Sequence, residues 1–62
     1  MNYSQKIKEY REKELLTQAE LANLLGVSYV SVNRWENGAF EPTMKIKRKL
    51  KKLFEDANIS ED

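Results

Sequence analysis

The stretch that decides the fold is Thr17–Gly38, TQAELANLLGVSYVSVNRWENG. It reads as two short helices joined by a tight glycine turn. Thr17 opens the first helix, with Glu20 three residues on to complete a capping box and Leu16 and Leu21 placed as a hydrophobic staple. Gly26 can take the left-handed conformation that ends a helix without steric penalty. Ser28 caps the second helix, Val27 can staple to Val32, and Asn37-Gly38 closes it. Ala22 is small where the two helices would cross closely. Val32 and Trp35, at i,i+3 spacing, give the second helix one buried edge. Their inward placement turns Val30, Asn33, Arg34 and Asn37 to the opposite side.

Outward from this pair the pattern stays helical. A first helix is expected from Asn2 or Ser4 to Glu14, with Asn2 and Gln5 as a capping box and Tyr3, Ile7 and Tyr10 at i, i+4, i+7. After the short loop Ala39-Phe40-Glu41-Pro42, Thr43 caps a fourth helix, whose apolar positions are Ile46, Leu50, Leu53 and Phe54. No segment alternates with period two, so no strand is expected. The fold class is therefore all-α, a small bundle of four helices, or of five, containing a helix-turn-helix. Its expected core is Ile7, Tyr10, Leu16, Leu21, Leu24, Leu25, Val32, Trp35, Leu50 and Phe54. Residues 1–57 form the domain, and 58–62 are expected as an acidic, frayed tail.

Sixty-two residues make one domain at most, near the lower limit for folding without staples. There is no cysteine for a disulfide or thiolate site and no histidine as general base or ligand. No metal, cofactor, small-molecule ligand or catalytic residue is expected, and the chain is not expected to be an enzyme. No apolar run approaches the roughly 20 residues of a membrane span, so a cytoplasmic location is expected. The net charge of +1 conceals a strong asymmetry. Residues 43–54 hold six bases (Lys45, Lys47, Arg48, Lys49, Lys51 and Lys52) and no acid, while residues 55–62 hold four acids and no base. A basic helix of this kind can steer a polyanion even in a nearly neutral chain.

The strings LTQAELANLLGVS and VNRWENG, with the proline that follows, resemble the phage-repressor-like helix-turn-helix family (lambda repressor/Cro, xenobiotic-response-element type) over residues 4–54. The resemblance implies a small sequence-specific regulator of transcription, a repressor by preference, of bacterial, phage or mobile-element origin. It implies that Gln18, opening the first motif helix, binds a DNA phosphate. It assigns base contacts to Tyr29, Val30, Asn33 and Arg34, and backbone contacts to Ser28, Ser31 and Asn37. Arg11 and Glu36 match a buried structural ion pair. Two copies would read an inverted repeat in double-stranded DNA, with half-sites about one helical turn apart. Many relatives carry a base in the loop before the proline, where this chain has Ala39-Phe40-Glu41. Many also add a fifth, dimer-building helix, and none is evident here.

The residue chemistry is compatible with those roles. Arg34 can donate a bidentate pair to guanine, Asn33 can pair with adenine, and Val30 can pack on a thymine methyl. Lys45, nearest the positive end of the basic helix, suits a phosphate contact. Two other readings stand beside this one. The chain is then either the DNA-binding module of a larger protein (an antitoxin, a restriction-modification controller or a DNA-modifying enzyme), or a protein-interaction module that keeps the fold without DNA affinity.

Overall fold

In the computed structural model, residues 2–59 are described and form four helices: α1 (Tyr3–Lys13), α2 (Gln18–Leu25), α3 (Tyr29–Glu36) and α4 (Met44–Asp56). Local signals account for most starts. The Asn2 side chain accepts from the Gln5 amide at the head of α1. At α2 the capping box is complete: Thr17 Oγ1 accepts from the Glu20 amide at 3.1 Å, and Glu20 Oε1 accepts from the Thr17 amide at 2.8 Å. Ser28 accepts from the Ser31 amide at 3.3 Å and starts α3. Thr43 sits at the N-cap of α4 but its hydroxyl makes no cap hydrogen bond, so the expected cap is one of position only.

All four helices stop in the same way. A residue with positive φ reverses the chain, and the next amide returns to the carbonyl five residues back. Gly26 (φ 73°) and Gly38 (φ 76°) do this after α2 and α3, with Val27 N–H donating to Ala22 O and Ala39 N–H to Arg34 O. Leu15 (φ 57°) and Asn58 (φ 59°) do it after α1 and α4, with returns from Leu16 to Arg11 O and from Ile59 to Phe54 O.

The buried apolar set is Ile7, Tyr10, Leu21, Ala22, Leu25, Val32, Trp35, Ile46, Leu50, Phe54, Ala57 and Ile59, with Tyr3, Leu16, Val27 and Leu53 packed against it. The Tyr10 and Phe54 rings lie 6.0 Å apart and tilted, joining α1 to α4. Lys13 donates to the Ala57 carbonyl and ties the C-terminal ends of the same two helices. Leu24 departs from the expected core: it is 52% exposed. The buried face of α2 centres on Leu21, Ala22 and Leu25, which leaves Leu24 roughly 100° round the helix. Position 59 of the expected tail packs into the core. Ile59 is only 5% exposed, because the left-handed Asn58 folds it back onto Phe54. Positions 60–62 of that tail lie outside the described residues. No described helix is long and apolar enough to cross a membrane.

Candidate nucleic-acid interface

Helix α3 divides cleanly by side. Val32, Trp35 and Glu36 are buried, whereas Tyr29 and Val30 are 52% and 49% exposed and Arg34 and Asn37 are exposed. Asn33 and Ser31 are half-buried at the margin. Tyr29 and Val30 thus set two half-exposed apolar side chains next to each other at the head of the helix. Ser28, exposed beside them, lies with its Oγ 3.2 Å from Ser31 Oγ.

Beneath this face lies a buried carboxylate. Arg11 grips Glu36 with two parallel bonds, Nε to Oε2 at 2.7 Å and Nη2 to Oε1 at 3.0 Å, and its Nη1 donates to Leu16 O at 3.2 Å. The Ser4 hydroxyl donates to the Glu36 carbonyl at 2.6 Å. These contacts join α1 to the end of α3 and fix how the outward face is presented. Burial alone would push the Glu36 carboxyl up. Hydrogen bonds from Arg11 and Gln18, with the charges of Arg11 and Lys8, outweigh burial and hold it below the ordinary carboxylate range.

Gln18, half-buried at the start of α2, bridges the carboxylate and the outward face. Its Nε2 donates to Glu36 Oε1 at 3.2 Å, and its Oε1 accepts from Asn33 Nδ2 at 3.3 Å. Asn33 Oδ1 accepts in turn from Asn37 Nδ2 at 3.0 Å. The structure thus brings together Gln18, Asn33 and Asn37, three residues assigned to base or phosphate contact, and links them to the Arg11–Glu36 pair. Arg34 is held differently, its guanidinium 5.4 Å from the centroid of the Phe40 ring. Lys45 stands apart on another element, exposed in the first turn of α4.

The basic helix is less uniform than its sequence. Lys49, though exposed, donates to Leu25 O at 3.1 Å, satisfying a carbonyl at the C-terminal end of α2. Lys47 pairs with Glu41 at 2.9 Å and lies 4.9 Å from the Tyr3 ring centroid. A shallow groove runs between Tyr3, Met44, Lys47, Arg48 and Lys51. Neither the bond from Lys49 to Leu25 nor the placement of the Arg34 guanidinium over the Phe40 ring follows from the spacing of these residues in the sequence. The only hint of the latter was Gly38, whose reversal carries the chain back past Arg34.

The family model described as "Helix-turn-helix" matches residues 7–61, and the chain belongs to that family, in its Cro/C1 or xenobiotic-response-element branch. Similar proteins include an HTH-type transcriptional regulator of Methanocaldococcus jannaschii, 41% identical over 92% of this chain and 92% of its own length. The HTH-type transcriptional regulator DicA of Escherichia coli is 47% identical over 74% of this chain and 35% of its own. An HTH-type transcriptional regulatory protein of Pyrococcus abyssi is 38% identical over 87% of this chain, which spans only 17% of that protein. No solved structure matches the chain significantly.

Proposed function

We propose that this chain binds double-stranded DNA in a sequence-specific manner and regulates transcription, with α3 entering the major groove and α2 crossing the backbone above it. The observation that carries the reading is the division of α3: its core side is locked by Val32, Trp35 and the Arg11–Glu36 pair, and its other side offers Tyr29, Val30, Asn33 and Arg34. A rigid helix with varied exposed hydrogen-bonding and apolar groups is what major-groove readout needs. In this reading Arg34 takes guanine, Asn33 takes adenine, and Val30 and Tyr29 pack on base edges. Gln18, Ser28, Ser31, Asn37 and Lys45 hold phosphate. Two copies bind an inverted repeat, and the protein works in the cytoplasm without a cofactor or catalytic step.

The unequal coverage of the relatives favours a second arrangement, in which the same site serves as a module within a longer regulator. Selection of binders from a randomised duplex library at near-physiological salt tests both. An enriched inverted repeat is the expected result. A single enriched half-site fits a module whose pairing surface lies elsewhere. No enrichment overturns the DNA reading in favour of a protein-interaction module.

A further inference from the structure

Glu36, Gln18, Asn33 and Asn37 form one chain of hydrogen bonds, and only one of its members cannot turn round. An ionised carboxylate accepts and never donates, so Glu36 admits only the NH2 end of Gln18, at 3.2 Å. The Gln18 carbonyl is thereby left facing Asn33, which must turn its own NH2 toward it, at 3.3 Å. Asn33 Oδ1 then faces Asn37, which donates to it at 3.0 Å. These two neighbours use one of the two N–H groups of Asn33 and one of the two lone pairs on its oxygen. One donor and one acceptor remain, the set that the N7 and N6 groups of adenine require.

We propose that Glu36 is a positioning residue for base reading: acting through Gln18, it fixes the Asn33 amide in a single orientation, so that donor and acceptor meet adenine in a set order. The proposal rests on the DNA-reading function above. It gives Glu36 a role distinct from its pairing with Arg11. The pair needs the carboxylate as a charge, whereas the relay needs it as an obligate acceptor. A neutral amide at position 36 would accept Gln18 either way round, and the order of groups at Asn33 would no longer be determined.

The test compares Glu36→Gln, Gln18→Met and Asn33→Ala on the selected duplex and its single-base variants. Asn33→Ala identifies the position that Asn33 reads. At that position Glu36→Gln lowers the adenine preference about fivefold, the equivalent of one neutral hydrogen bond, while the preference at the Arg34 position is retained. Gln18→Met keeps the Arg11–Glu36 pair and hence the fold. It flattens the Asn33 position in addition to any uniform loss from a missing phosphate contact. Uniform weakening with adenine preference intact overturns the proposal and leaves DNA reading in place, as does an Asn33→Ala variant that flattens no position. A wild-type protein with no sequence preference overturns both. Side-chain amide exchange measured by NMR on the free protein separates the relay from DNA altogether. The Asn33 NH2 protons exchange slowly in the wild type and faster in Gln18→Met, and equal rates overturn the relay whatever the protein binds.

Discussion

The two charged regions of this domain spend their charge in opposite ways. At the junction of α1 and α3, Arg11 and Glu36 are largely withdrawn from water and bonded at two points, and Ser4 and Gln18 add further bonds to Glu36. On α4, Lys45, Arg48, Lys51 and Lys52 stand exposed. Geometry governs the first region, because a displaced partner would leave a buried ion uncompensated. The second acts as a field, screened by salt and indifferent to small displacements. A DNA reader needs both: a rigid device to present base-reading groups in order, and a diffuse one to hold phosphate.

The strongest way to break the contrast is Arg11→Ala. It leaves Glu36 buried without its partner and should cost about 3 kcal/mol of folding stability, read from urea denaturation followed by circular dichroism. In a domain this small that is a large share of the total. Lysine-to-glutamine changes on the exposed face of α4 should stay within about 0.5 kcal/mol in the same assay. If Arg11→Ala were equally mild, the two regions would not differ in kind.

Acid should separate them as well. The Glu36 carboxyl is held below its ordinary value of 4.5, so it contributes stability that is fully present above that value. That contribution is lost as the pH falls through the lower, folded-state value. Arg11→Ala should abolish this part of the acid transition, which a denaturation series between pH 7 and pH 2 would show.

Arg34→Ala sharpens the functional side. Loss of one bidentate base contact should weaken the best duplex by about 1–3 kcal/mol and relax preference at one base pair, measured by fluorescence anisotropy across the single-base set. Leu15→Gly probes a site that neither charged region uses. Leu15 is 89% exposed with φ 57°, so it gains little from burial while its Cβ is crowded. Glycine there should raise stability by about 1 kcal/mol, with binding unchanged. The smallest effect belongs to Lys45→Gln. It should leave stability and base preference alone and reduce the slope of log K against log salt by about 1.

Most of the fold was legible in the chain because its signals are short-range. The capping box Thr17–Glu20, the cap Ser28, the left-handed glycines 26 and 38, and the i,i+3 spacing of Val32 and Trp35 each act within a few residues, and each places a helix boundary or face without reference to the rest of the molecule. Family resemblance supplied the pairing of Arg11 with Glu36, which are separated by 25 positions. The stops after α1 and α4 were not legible in the same way, since Leu15 and Asn58 lack the glycine that would announce a left-handed residue. Tertiary packing decided that α2 leaves Leu24 exposed, and that Ile59 returns to the core. It also turned Lys49 toward the end of α2 and joined Gln18 to Asn33 across 15 positions. The physical reason is the range of the interactions. Propensity and capping are properties of neighbouring residues, whereas the direction of an amide and the neighbours of a side chain exist only once distant helices have docked and left a particular acceptor in reach.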